Sequence, residues 1–364
     1  MKKDRSTVKV KAWLDPDLRK KWEKLNKKHG YLFWVKSMLV SDEDEWHDLI
    51  RGREPNFSHV PQIPNSPEEY VKLLKKRREI YFQLFRSFTD PSLELVKDIL
   101  SGTFSEKIRD ACSIYNDSRV EEGLNLISKF VERFRGAKVK KLADDLSGEY
   151  LMVFYDGLMP WVCCYESIYL SEKQTMGDST QEVKDLYRMA SYNVALRFGN
   201  DPPDDIKIEI EFMFRLCDDE LKAWKRGDKE LALQYLKLQR EHITKHMAQW
   251  VPYFCDDLVN EELKSKIADK YNFDEDIKRE YREGIVAMDF YRGLGLITKT
   301  IIEHDYTQVE AMIKAAEQLD YSSISKLCMS VPEKNMLKEN FHLVREEEMI
   351  KEDYPYLPSS PKTF

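Results

Sequence analysis

A chain of 364 residues that is 42% hydrophobic and 34% charged can bury a sizeable core and stay soluble, and no run of about 18 uninterrupted apolar residues offers a membrane span. The first residues are basic but lack the apolar centre of a secretory signal, so the expected compartment is the cytoplasm. The net charge of −7 is unevenly spread: residues 1–28 carry 11 Lys and Arg against four Asp and Glu, leaving −14 for the rest, a balance that suits a basic ligand without requiring one.

The basic extension comes first along the chain. Val8 and Val10 alternate with lysines as in a short strand, Asp15, Pro16 and Asp17 open a helix with Leu18, Trp22 and Leu25, and an apolar stretch with Phe33, Val35 and Leu39 follows Gly30. Strand, helix, helix with a basic surplus is the order of a ribbon-helix-helix nucleic-acid-binding unit, and that is the alternative reading of this chain. The run Tyr31-Leu32-Phe33-Trp34, where such a unit is polar, favours packing of the extension onto the body over nucleic-acid binding. Residues 51–65 hold Pro55, Pro61 and Pro64 with little periodicity and read as a linker.

From residue 66 onward a helical period dominates. Ser66, Pro67 and Glu69 form a capping box with proline at the first helical position, ahead of a stripe through Tyr70, Leu73, Leu74, Tyr81, Leu84, Phe85 and Phe88. Asp90-Pro91 repeats the start signal, with Leu93, Val96, Ile99 and Leu100 expected to face inward; Val120, Leu124, Ile127, Val131 and Phe134 make the next stripe. Others run through 183–194, 206–221, 231–250 and 285–302. With only 13 glycines and few alternating segments, the expected fold is all-α: one helical bundle domain over 66–312 without a sheet of three or more strands, preceded by the 1–65 extension and followed by a helical tail over 313–364.

Catalytic motifs are missing. Gly293-Leu294-Gly295 lacks a third glycine and lies inside a helical pattern, so it is no dinucleotide loop; the acidic run 201–205 has Phe212 at the twelfth position, which excludes an EF-hand. His242 and His246 stand four apart on one helix, and Cys163 and Cys164 are adjacent, but neither pair has the further ligands of a closed metal site, so no metal is expected. The six scattered cysteines read as reduced, partly buried thiols.

Several segments, in order, resemble the TorD/DmsD/NarJ family. Arg77 to Tyr81 leading into Leu84-Phe85 is similar to its opening helix, and Met159 through Leu170, with Pro160, Trp161, Glu166 and Tyr169, to its proline-aromatic run into E-S-V-Y. Thr180 to Tyr187 resembles T-x-E-V-x-x-x-Y, Asp201 to Met213 resembles E-P-x-D-H-I-x-x-E-L-x-F-M, His246 and Trp250 supply H-x-x-x-W, and Asp289 to Thr298, with Tyr291, resembles F-Y-x-x-L-x-x-L-T. The resemblance covers some two-thirds of the chain. It implies an all-α, non-enzymatic maturation chaperone that binds an immature molybdopterin oxidoreductase catalytic subunit and its twin-arginine leader, assisting cofactor insertion and delaying export. No cofactor of its own is implied, modulation by a weakly bound nucleotide stays open, and so does the choice between monomer and dimer. One departure stands out: Asp204-Asp205 replaces the family's Asp-His, so a role needing a titrating imidazole there does not carry over.

The candidate peptide-binding residues are Trp161, Tyr165, Glu166, Asp201, Asp204, Asp205, Glu209 and Met213, and those supporting the family motif are Pro160, Tyr169, Pro202, His246, Trp250 and Tyr291. The residue types allow two readings. Asp204 sits near a helix start, where its carboxylate can cap an orphan N–H. Alternatively Asp201, Asp205 and Glu209 leave an acidic rim beside an adaptable surface of Phe212, Met213 and Trp161, matching a peptide with two arginines and an apolar run. Glu166 is expected either to cap or to pair with an arginine, and Trp250 to pack in the core.

Overall fold

The computed structural model describes residues 55–154, 162–170, 177–195, 201–259, 289–333 and 341–345. The expected strand and helices of the extension before Pro55 lie outside these residues. Helices dominate: α1 (Pro67–Phe88), α2 (Leu93–Ser101), α3 (Thr103–Cys112), α4 (Ser118–Arg133), α5 (Val139–Phe154), α6 (Glu166–Tyr169) and α7 (Asp178–Met189) precede strand β1 (Tyr192–Val194). Then come α8 (Ile206–Lys225), α9 (Lys229–His242), a π-turn (Ile243–Met247), α10 (Ala248–Val259), α11 (Asp289–Gln318), α12 (Tyr321–Met329) and strand β2 (Leu343–Arg345). The fold is all-α, and β1 and β2 make one antiparallel two-stranded sheet with Asn193 opposite Val344.

Local chemistry sets the helix ends. Ser66 accepts the Glu69 N–H at 3.3 Å, while the Glu69 carboxylate takes the Asn65 N–H at 2.8 Å. The second start is set by Ser92, which accepts from Leu95, rather than by Asp90. Being the first helical residue there, Leu93 points outward and is 54% exposed, against expectation; Val96 and Ile99 are buried. The stripe expected over 183–194 stops at Met189, because Ser191 takes a left-handed φ of 61° and turns the chain into β1.

Long helix α11 organises the bundle, packing along α4 and α10, while α1 lies against α8 and α12. Three glycines permit these approaches. A Cβ on Gly123 of α4 would fall 2.6 Å from the Gly293 carbonyl oxygen, and one on Gly293 would meet the Gly123 carbonyl and Ile127. Gly295 faces α10, where a Cβ would lie 3.2 Å from the Cys255 carbonyl oxygen. The Gly-Leu-Gly pattern therefore serves two helix crossings. Gly293→Ala is expected to cost about 1–3 kcal/mol through overpacking against backbone. Gly148→Ala, with open space around it in α5, should gain about 0.5–1 kcal/mol instead, and urea melts of both variants check the contrast.

Two expected boundaries shift. Residues 55–65 are a strap on α11 rather than a loose linker: Glu303 accepts the Asn56 N–H at 3.0 Å, Gln308 exchanges two hydrogen bonds with Gln62, and Phe57 stacks on Tyr306. At the other end, position 312 falls inside α11, and the elements after it return to the body. Buried Glu211 of α8 accepts the N–H groups of His342 and Leu343 at 2.7 and 2.9 Å, holding β2 in place. All six cysteines are buried free thiols.

A buried polar network lies at the centre. The Arg77 guanidinium, wholly inaccessible, pairs with Asp305 of α11 at 2.9–3.0 Å and donates to Gln239 of α9 at 2.7 Å. Tyr81 and Tyr115 donate their hydroxyls to the same Asp305 carboxylate at 2.7 and 2.6 Å. Gln239 in turn donates to Glu220, which also accepts from Tyr70. Five elements are joined through two carboxylates, each well supplied with donors.

Candidate functional site

The acidic run 201–205 meets the segment 162–170 in a short reciprocal join. Tyr165 and Asp205 form an antiparallel bridge; the Glu166 N–H donates to the Asp204 carbonyl at 3.0 Å, and the Ile206 N–H to the Cys164 carbonyl at 2.9 Å. Pro202 and Pro203 keep the run out of a helix, so α8 begins only after it. The helix cap is Asp205, whose carboxylate accepts the Lys207 N–H at 3.0 Å. Asp204, one residue earlier, reaches across and accepts the Ser167 N–H at the start of α6 at 2.9 Å. Two adjacent aspartates thus cap two different helices, which corrects the assignment of Asp204 to its own helix.

Beneath the join lies a closed cluster. Glu166 approaches His246 Nδ1 with its carboxylate oxygens at 3.0 and 3.1 Å, so an imidazole is a partner that the expectation of a cap or an arginine did not include. The π-turn supplies the reason. It inserts one residue into the α9–α10 run, re-aiming the His246 turn before Pro252 would break the helix. His242 donates its Nε2 hydrogen to the Glu209 carbonyl at 3.2 Å. Burial, then the neighbouring His246, pushes the His242 pKa well below the usual imidazole value, which keeps this ring neutral. Burial, with Glu166 and Asp204 close by, drives the Glu209 carboxyl well above its ordinary range and favours its neutral form. The Trp250 indole lies alongside. Tyr187 closes the cluster by donating to the Pro203 carbonyl at 2.8 Å.

The expected acidic rim is therefore an interior. Glu166, Asp204, Asp205, Glu209 and Met213 are all buried, because α8 packs along α9, Tyr187 of α7 lies against Phe212, and the caps hold the carboxyl groups inside. Phe212 and Met213 likewise lie in the core rather than on an adaptable surface. Asp201, Pro202 and Tyr165 keep part of their surface; Asp201 pairs with Lys207 at 3.0 Å, and Lys207 also approaches Asp205 at 3.5 Å. Pro160 and Trp161 lie outside the described residues. Trp250 is fully buried beside Tyr169, whose hydroxyl donates to Asp257, and Tyr291 is buried against Phe154. The reading of the residues missed Tyr187, Ser167 and Lys207 as members of the join. Of these only Lys207, two residues after the aspartates, had a local signal.

Residues 115–256, which include the whole join, match the family model of the nitrate reductase delta subunit. This match supports the resemblance to the TorD/DmsD/NarJ family. It is 24% identical over 201 residues to the chaperone protein TorD of Photobacterium profundum, an alignment spanning 52% of this chain and 84% of that protein. No solved structure matches the chain significantly. Among its described residues no helix is long and apolar enough to cross a membrane.

Proposed function

We propose that this protein is a non-enzymatic maturation chaperone of the cytoplasm, which binds an immature molybdopterin-dependent oxidoreductase subunit together with its twin-arginine leader, assists cofactor insertion and delays export. The observation that carries the reading is the acid-rich join in the matched region. Among the described residues, the carboxylates of Glu166, Asp201, Asp204 and Asp205 gather there, beside the neutral-leaning carboxyl of Glu209, against Lys207 and two imidazoles. Such a surplus favours a guanidinium arriving at its edge, where Asp201 and Tyr165 keep exposed surface. The buried members act as positioning residues: they cap α6 and α8 and fix the backbone that presents the edge. Binding of this kind works by mass action, holding the client while its leader is engaged.

Isothermal titration of the full chain with a twin-arginine leader peptide tests the proposal. A charge-assisted contact to arginine contributes roughly 1.5–3 kcal/mol, so Asp201→Asn should weaken binding about tenfold or more. Asp204→Ala and Asp205→Ala remove the caps and should lower the melting temperature first, by the equivalent of about 0.5–2 kcal/mol each, with a smaller loss for Asn, which can itself cap. Binding that is indifferent to Asp201 would move the leader site away from the join. Absence of both peptide binding and a co-purifying molybdopterin-dependent subunit would end the chaperone reading.

A further inference from the structure

Well away from the join, three side chains from three separate elements converge under the strap. His59 comes from the strap itself, Asp117 is the N-cap of α4, and His304 lies on α11 beside Glu303. One ligand atom from each of the three lies within 4.8 Å of the other two. His304 Nε2 is 3.0 Å from Asp117 Oδ2, and the His59 and His304 rings stack with centroids 3.7 Å apart. His59 Nε2 is buried and has no hydrogen-bond partner among the described residues; Glu303 Oε2 is 3.9 Å away.

We infer that His59, Asp117 and His304 form a binding site for a divalent transition-metal ion of the zinc class, with Glu303 within reach as a fourth ligand. Two imidazoles and a carboxylate are a donor set for such ions rather than for magnesium or calcium, which prefer oxygen alone. Zinc sits about 2.0–2.2 Å from nitrogen and oxygen ligands, so tetrahedral neighbours lie roughly 3.4 Å apart. The observed spacing closes to that by side-chain rotation. Stacked rings hold their lone pairs side by side, so one ring must turn, and His59 is the one carried by a strap rather than a helix.

Asp117 suits its part because its two oxygens divide the work. Oδ1 accepts the Arg119 N–H and caps α4, leaving Oδ2 for an ion. His304 Nε2 would give up the hydrogen it now donates to Oδ2, so binding releases a proton or moves it to Nδ1. Arg119 is the competing cation, bridging Asp117 Oδ2 at 2.7 Å and Glu303 Oε2 at 2.5 Å. An ion would displace Arg119 from Asp117, and from Glu303 Oε2 as well when that carboxylate joins as the fourth ligand. The bound metal would staple the strap to α4 and α11.

The full chain, stripped with a chelator, is titrated with cobalt(II) and its visible d–d absorption followed, then with zinc(II) by calorimetry and thermal melts. The expected result is one ion per chain and a raised melting temperature. His59→Ala, whose strap position leaves the core intact, should lower affinity at least tenfold, and Arg119→Gln should raise it. A Cys163→Ser, Cys164→Ser double variant should bind as the parent does. Failure to saturate at one equivalent, affinity unchanged in a His59→Ala, His304→Ala double variant, or a thiolate charge-transfer band would each overturn the inference.

Discussion

Asp305→Asn is expected to destabilise the protein by about 3–5 kcal/mol, a large share of what a domain has to lose. The substitution keeps the shape but removes the charge that faces Arg77, and Arg77 is fully buried, with Asp305 as its only anionic contact at ion-pair distance among the described residues. A guanidinium stays protonated at any practical pH, so the cost cannot be escaped by titration. The amide also offers a poorer acceptor to the Tyr81 and Tyr115 hydroxyls. Replacing both partners, Arg77→Met with Asp305→Leu, should recover part of the loss, because no buried charge then remains. Recovery stays partial, since the two tyrosines and Gln239 each lose a partner. Urea melts measure all three proteins, and a cost below about 1 kcal/mol for Asp305→Asn would mean that water reaches the pair.

The second large effect depends on pH. Glu149 of α5 is nearly inaccessible, and burial, reinforced by Asp145 and Asp289 and opposed by Arg133, pushes its carboxyl up to about 8. An unfolded glutamate titrates near 4.5. Between those values the folded chain keeps a proton that the unfolded chain releases. Stability that is complete below about 4.5 is therefore lost as pH rises toward 8, by up to about 1.4 kcal/mol per unit. Across the window this amounts to roughly 3–5 kcal/mol. Glu149→Gln, neutral in both states, should remove that slope and raise the melting temperature at pH 8 far more than at pH 5. Parallel stability curves for the two proteins would place Glu149 in contact with solvent.

The helical stripes were legible because each is a local pattern: a period of 3.6 and a cap suffice, and Ser66, Tyr81 and Leu124 need no distant partner to be read. The order of motifs around Pro202, His246 and Trp250 was legible for the same reason. What stayed hidden depends on neighbours far along the chain. Nothing near Glu166 says that its partner is His246, because the π-turn that aims the imidazole leaves no mark in the hydrophobic period. Asp204 and Asp205 look alike as letters, yet one caps α6 and the other α8, a division set by the bridge between Tyr165 and Asp205. Charge was read as surface because carboxylates are seldom buried. Here the caps, and the upward shift of Glu209 toward its neutral form, make burial tolerable. The Leu93 error was of another kind: a cap displaced by two residues rotates the first turn.

The join between Arg77 and Asp305 spans 228 residues of chain, and the strap is tied to α11 across 246. At a synthesis rate of roughly 5–20 residues per second, α1 leaves the ribosome some 10–45 s before the helix that neutralises it has been made. Through that interval the opening helix holds a cation whose counter-ion has not yet been made. Folding of the centre in this sense waits for α11 rather than keeping pace with synthesis, and long-range closure of this kind is slow. A protein whose proposed work is to shelter unfinished clients therefore passes through a comparably exposed stage of its own.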